Sequence, residues 1–468
     1  MKRWLFYVLL IPLPLYAADS ADKIEYSGYV KTETWIKNYN DQEHLSLSSW
    51  KNTVDVALQY TMSDKWTFFF HPRYFYDAAY SLRTDYNSYY DKNQESMGNT
   101  QRTEWLRDCY FDYTSPQLDL RLGKQQVVWG MADGIPLLDR VMPFDLSYYW
   151  LPDFADIRIP LWMMKMEYSP KVDSTLQLLV IPDFEASRSA PPHAPFAFKS
   201  FNDFDSFRNF NAAIGGTTDL RLYQPAKQFK NSRVGVRWRS MVGNLEYTFN
   251  WLYGYSTNAY TYTDSFFPTP NPFDPPFIGD YQFSRRHKLM QMMGFSFNRS
   301  FVERGPLEGL TIRGEFAYLK DEPTYYGTEG SRQSTEPSDK YAYVLGFDKN
   351  FFTNWLFSVQ FAQFIHEDAD RPGNLQILNA YTYGTMEKIE NTLTLKIATD
   401  FLHERLQPEV LVIYGDDNDG RISFKTKYEL RDNLWLTLGY HHFWGSVWGS
   451  NGQFRNNDQI VFEAKYTY

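Results

Sequence analysis

The chain has 468 residues, a formal net charge of −9 and 19% aromatic residues, with 36 Tyr, 37 Phe and 14 Trp. Its acidity argues against nucleic acid. The single Cys109 excludes an intramolecular disulfide, and no Cys/His spacing suggests zinc. A mean hydropathy of −0.51 sits badly with so many rings in a soluble domain, which would have to bury them. A membrane barrel can show them to lipid and keep its other face polar.

The chain begins as a secretory signal peptide: Met1-Lys-Arg3, an apolar stretch from Trp4 to Leu15, then Tyr16-Ala17-Ala18-Asp19. Residues 1–17 are assigned to it, and losing Lys2 and Arg3 moves the formal charge from −9 to −11. Beyond it no apolar run approaches the ~20 residues a transmembrane helix needs. An exported soluble protein or a membrane barrel remains.

From residue 24 onward the dominant signal is alternation with a period of two. Val234/Val236/Trp238 oppose Arg233/Gly235/Arg237/Arg239, and Leu245/Tyr247/Phe249/Trp251/Tyr253 oppose Glu246/Thr248/Asn250/Gly254. Leu310/Ile312/Phe316/Tyr318 oppose Thr311/Arg313/Glu315, and Ile422/Phe424/Thr426/Tyr428/Leu430 oppose Arg421/Ser423/Lys425/Lys427/Glu429. Strands of a soluble sandwich alternate too, but here Trp and Tyr gather at strand ends, as membrane girdles do.

A polar loop at Asn38–Glu43 is expected to join the first two strands, and short connections are expected near 62–65, 114–116, 169–173, 241–244, 301–309, 349–350 and 431–433. Long ones are expected at 82–100, 131–158, 184–231, 256–281, 320–339, 367–384 and 445–458. Short turns at one end and long loops at the other are the periplasmic and extracellular sides of an outer-membrane barrel. The count gives an all-β, antiparallel up-and-down barrel of about 18 strands, or 16 if the segments near 378–415 do not contribute. With no repeat beyond the hairpin rhythm and no Gly/Ser linker, residues 18–468 form one barrel domain.

The stretch from Arg121 to Trp162 starts and ends as a strand. Between them, Leu137-Leu138 and Tyr148-Tyr-Trp150-Leu151 are apolar anchors, Asp133-Gly134 and Met142-Pro143 are turn formers, and Asp133, Asp139, Arg140, Asp145, Asp153, Asp156 and Arg158 supply charge. Such a run is too apolar for a solvated loop. It is expected to fold into the barrel mouth at about 131–158 as a constriction; the alternatives are a rim scaffold, or a calcium site on Asp145, Asp153 and Asp156, which lack the spacing of the loop-type sites.

Leu122-Gly-Lys-Gln-Gln-Val-Val-Trp-Gly130, Ala132-Asp-Gly134, Leu138-Asp139, Asp153-Phe154 and Arg158-Ile-Pro-Leu-Trp162 resemble the signature region of the domain of unknown function 1302 family of Gram-negative outer-membrane proteins. Met142 stands before Pro143 where that family often has Asn. The resemblance implies an outer-membrane location and a transport role, with no substrate or catalytic residue to carry over.

Two loops are rich in rings: 190–210, with Phe196, Phe198, Phe201, Phe204, Phe207 and Phe210, and 266–277, with Phe273 and Phe277. They read either as loops packed on one another or as an apolar collecting surface. Among the inward charges, Arg121, Arg313, Arg421, Lys425, Lys427 and Lys465 are set against Glu104, Asp108, Asp112, Asp119, Glu246, Glu315, Glu429 and Glu463, a balance suited to cross-strand pairs. Arg233, Arg237 and Arg239 stand apart as a local run able to draw anionic groups. The adjacent His441 and His442 point to opposite faces, which disfavours a hydrolase. Ile460, Phe462, Ala464, Tyr466 and Tyr468 line one face of the last strand. Of these, Phe462, Tyr466 and Tyr468 resemble the C-terminal assembly signal of outer-membrane proteins.

The sequence is therefore read as a Gram-negative outer-membrane channel or transport protein for small apolar or amphipathic solutes, without enzymatic activity, metal or cofactor. A non-conducting receptor or adhesin, or the outer-membrane component of a lipid-trafficking system, is the alternative. Expected partners are outer-membrane lipid and lipopolysaccharide, the barrel-assembly machinery and periplasmic transport proteins.

Overall fold

The alternating segments become strands of one closed sheet. The computed structural model describes residues 23–38, 45–82, 105–213, 215–268, 279–326, 334–370, 375–377, 383–385 and 387–468. The signal peptide expected at 1–17 lies outside them. In chain order the barrel strands are β1 (Ile24–Asn38), β2 (Leu45–Ser63), β3 (Trp66–Asp77), β4 (Leu106–Thr114), β5 (Leu118–Gln125), β6 (Leu161–Lys171), β7 (Ser174–Ile181), β8 (Arg233–Val242), β9 (Leu245–Tyr255), β10 (Leu289–Ser300), β11 (Leu310–Tyr326), β12 (Ser334–Phe351), β13 (Trp355–His366), β14 (Ile389–Ala398), β15 (Leu406–Gly415), β16 (Gly420–Arg431), β17 (Leu434–Trp444) and β18 (Asp458–Thr467).

Each strand pairs antiparallel with its neighbours in sequence, and β18 returns to β1 from Tyr29↔Thr467 to Asn38↔Asp458. The barrel therefore has 18 strands. β14 and β15 come from the segment that left 16 open. No helix among the described residues is long and apolar enough to cross a membrane, but closure leaves no strand edge, so the backbone can be satisfied in lipid.

Strand parity follows the sequence. Phe249, Phe316, Phe424 and Phe462 project outward and are exposed, whereas Arg233, Glu315 and Arg421 project inward and are buried. Most turns fall near their expected places, with two shifts, and the connections at 399–405 and 416–419 are not among those expected. β12 runs on through Phe351, so the turn expected at 349–350 falls at 352–354, and most of the loop expected at 320–339 is strand. Both are places where pairing with a neighbour extends a ladder past the local turn signal.

Phe462, Tyr466 and Tyr468 all lie exposed on the outer face. Tyr468 also closes the seam: its N–H donates to the Gly28 carbonyl at 3.0 Å and its carbonyl accepts from the Gly28 N–H at 3.1 Å. Its ring lies over Gly28, where a Cβ would come within 2.7 Å of the phenol oxygen. We expect deletion of Tyr468, and equally Gly28→Val, to slow folding into lipid and weaken the heat-modifiable gel migration of the closed barrel. Normal folding kinetics in both variants would mean that the seam does not limit assembly.

Candidate functional site

Between β5 and β6 the chain leaves the wall, and residues 126–160 cross the lumen. The first half packs on the wall formed by β6–β13. Trp129, Leu137, Leu138, Val141 and Met142 are fully buried against Leu161, Leu179, Met292, Ala317, Leu319, Ala342 and Ala362, which the strands point inward. Small wall residues let the segment approach: a Cβ at Gly294 would lie 2.4 Å from a Leu138 methyl. Met142, before Pro143, belongs to this apolar core.

Polar wall residues then satisfy the irregular backbone. The Glu315 carboxylate accepts the N–H groups of Met131, Ala132 (3.0 Å) and Leu138 (3.3 Å). Gln360 pairs with Asp133 as a strand would, accepting its N–H at 3.0 Å and donating to its carbonyl at 2.8 Å. Arg313 donates to the Met131 carbonyl and the Asp133 carboxylate, and pairs with Asp348 at 2.8 Å. Arg140 pairs with Glu322 at 3.0 Å. The two limbs of the segment are stapled by Arg158–Asp139 at 2.6 Å. Burial pushes the Asp139 carboxyl up, against the pull of Arg158.

The second half reaches the opposite wall. Arg107 donates to the Ala155 carbonyl at 2.7 Å, Lys425 pairs with Asp153 at 3.0 Å, and Tyr148 donates to Asp77 at 2.6 Å. Asp156 meets Arg73 at 2.7 Å and Lys31 at 3.8 Å. Burial works to raise the Asp156 carboxyl, but Arg73 and Lys31 outweigh it and hold the group well below the usual carboxylate range. Asp153 is likewise held low, by Lys425 against its burial. Tyr149 enters a second cluster with Trp35, Phe196, Phe443 and Phe454.

The charged residues expected along a solute path are thus mostly fasteners. Asp133, Asp139, Arg140, Asp153, Asp156 and Arg158 each have a partner as above, and Asp145 accepts the Ser147 N–H at 3.0 Å. Asp145, Asp153 and Asp156 hold separate partners and are not gathered for calcium. The reading of Arg233, Arg237 and Arg239 as an anion-drawing run is corrected. Arg233 is buried and donates to the Val141 and Arg140 carbonyls at 2.7 and 2.8 Å, and Arg237 donates to Val128. Arg239 pairs with Glu246 at 2.9 Å. Asp139, Arg140 and Arg233 border a cavity of about 210 Å³ with Met142, Phe144 and Trp150.

The loop phenylalanines are corrected too. They lie in and beside a helix over Lys199–Ala213, and they pack. Phe198 lies against Tyr149 and Phe454, Phe204 against Phe283, Phe207 against Tyr281, and Phe201 under the Arg285 guanidinium. Of that helix's phenylalanines only Phe210 is exposed. Phe273 and Phe277 lie outside the described residues. The reason is a sheet of Thr218–Tyr223, Tyr260–Pro268 and Gly279–Arg286, which brings a facing row of rings.

In the sequence Arg313 and Glu315 stand out only as inward charges, and Lys31, Arg73, Arg107, Glu322 and Gln360 do not stand out at all. Strand parity marks Lys31, Arg73 and Gln360 as inward, but not what they meet; Arg107 and Glu322 are turned inward by breaks in register, next to the His71↔Asp108 pair and between Leu319 and Glu322. Two cavities flank the Asp156 clamp. One, of about 70 Å³, is bordered by Lys51, Arg107 and Tyr148, the other, of about 470 Å³, by Lys425, Lys427 and Lys465; both share Tyr29, Lys31, Arg73 and Asp156.

The class defined by this geometry is an 18-stranded membrane-type barrel with an internal segment fastened to both walls. Residues 36–468 match the family described as protein of unknown function (DUF1302), so the chain belongs to that family. Among solved structures it is similar to OccAB4 of Acinetobacter baumannii (TM-score 0.51, 10% identity, covering 95% of this chain and 98% of that one). It is also similar to OccK8 (OprE) of Pseudomonas aeruginosa (0.51, 8%, 96% and 98%) and OccK5 (OpdH) of the same organism (0.50, 9%, 95% and 98%). At such identities the likeness is one of fold. No curated protein sequence matches significantly.

Replacing Glu315 with Ala removes the acceptor of three N–H groups, each costing about 1–3 kcal/mol when left unsatisfied in a buried site. We expect the barrel to insert normally and the 131–138 turn to become susceptible to protease, with noisier single-channel current. An unchanged digestion pattern would show that the apolar anchors alone hold the turn.

Proposed function

We propose that the protein is a channel of the outer membrane in which residues 126–160 restrict passage. One observation carries the reading: the segment is held on β6–β13 by apolar packing and on the facing wall by Asp153–Lys425 and Asp156–Arg73, so it crosses the lumen instead of lying along one rim. The family membership and a fold shared with outer-membrane porins and channels support it. An apolar solute preference loses support among the described residues, because Phe198, Phe201, Phe204 and Phe207 are packed and the cavities beside Asp156 are bordered by charge.

The reading is non-enzymatic. His441 does meet Ser423 at 2.8 Å, but its ring is stacked on Trp35 and no carboxylate holds its second nitrogen among the described residues. His442 points the other way, to Asp458 at 2.7 Å. A nucleophilic serine needs its base oriented by a third group.

Deleting 133–156 and bridging the gap with Gly and Ser should leave insertion intact, because the barrel strands satisfy one another. Conductance in planar bilayers should rise well above that of the parent. A folded variant that conducts no better would make the segment a scaffold and overturn the assignment.

A further inference from the structure

The two cavities beside the clamp share one partition, and it is made of ions. Tyr29, Lys31, Arg73 and Asp156 border both. The Asp156 carboxylate on Arg73 and Lys31 is therefore the septum between the space near Lys51 and the larger space near Lys427.

Cations exceed acids among the side chains that border each side, with Glu33 and Asp55 behind them on Lys31 at 3.0 Å and Arg73 at 2.7 Å. The smaller cavity has Lys31, Lys51, Arg73 and Arg107 against Asp145 and Asp156. In the larger one, Lys425, Lys427 and Lys465 join Lys31 and Arg73, against Asp153, Asp156 and Glu463. This happens in a chain whose formal charge is −9. Farther along, the cavity that shares Lys425 and Lys427 adds Lys396 against Asp400, Glu404 and Glu409, so the excess is local to the septum.

Three of these cations have no ion pair among the described residues. Lys51 lies over the rings of Phe75 and Tyr148 at 5.1 and 5.2 Å, Lys465 lies over Tyr29 at 4.2 Å, and Lys427 has no such contact. Unpaired cations on both sides of a guanidinium–carboxylate pair raise the local concentration of anions. The guanidinium itself is suited to a second carboxylate of the same geometry.

Resting on the channel reading, we infer that the solute is a small carboxylate or similar oxyanion, which passes along the β1–β3 and β16–β18 side by replacing Asp156 beside Arg73 and Lys31, while Asp55 stays on Arg73 at 2.7 Å and Glu33 on Lys31 at 3.0 Å. Lys51 and Lys427 are its waiting positions on either side. Asp156 is the protein's own stand-in for the solute, and it closes the septum when none is present.

The test is the reversal potential of the full-length protein in planar bilayers across gradients of potassium chloride and potassium benzoate. The parent should prefer the anion in both. Asp156→Asn should raise conductance and keep the preference, Lys51→Gln and Lys427→Gln, each alone, should move the reversal potential toward zero, and Arg239→Gln, which removes an equal charge away from the septum, should not. A cation preference, or equal shifts from Lys51/Lys427 and Arg239 substitutions, overturns the inference. So does a silent Asp156→Asn when the 133–156 deletion conducts, because the channel then stands and the septum is elsewhere. If the deletion is silent as well, the channel reading fails and takes the inference with it.

Discussion

A closed sheet of 18 strands is too wide for its inward side chains to meet across it. Lipid forces the closure, since an unpaired strand edge in hydrocarbon costs several kcal/mol for each open backbone group. Closure then creates a lumen that needs something other than wall side chains to restrict it. The 126–160 segment lies within that lumen, and the burial of its anchors and the pairing of its charges follow from being placed inside a barrel.

The segment divides the lumen into two environments. Toward β6–β13 it is a dry contact of Leu137, Leu138 and Met142 on inward Leu, Met and Ala, threaded by Glu315, Arg313 and Gln360. Irregular backbone is tolerated at membrane depth only where protein or water satisfies it, and those three side chains do so. Toward β1–β3 and β16–β18 the contacts of Asp153 and Asp156 are ionic and border open space, beside the aromatic cluster that Tyr149 forms with Trp35 and Phe443. Packing of the first kind resists displacement by solutes. Ion pairs of the second kind exchange with other ions and are screened by salt, so change in the segment belongs on that side.

Much of the wall was legible in the sequence. Alternation such as Ile422/Phe424 against Arg421/Ser423 is a local property, because successive side chains on a strand face opposite ways. Short turns such as 243–244 and 432–433 are local as well. The crossing segment was legible for a similar reason, since apolar residues at Leu137, Leu138 and Tyr148–Leu151 require burial wherever they fold. Local signals failed where neighbours overrode them, as in the extension of β12 through Phe351, and where a facing sheet covered rings that look exposed in isolation, as at Phe204 and Phe207.

The sequence by itself therefore determined which residues face lipid, which face inward and which stretch leaves the wall. It did not determine which inward residue meets which part of that stretch. Glu315 reaches Met131 across 184 positions and Lys425 reaches Asp153 across 272. Such pairs depend on strand register and on the closure of β18 onto β1. Tertiary structure alone turned Arg233 from a lumen charge into a carbonyl clamp, and brought Lys31 and Arg73 to Asp156, because a charge has a fixed sign in sequence but acquires its partner only when the ring closes.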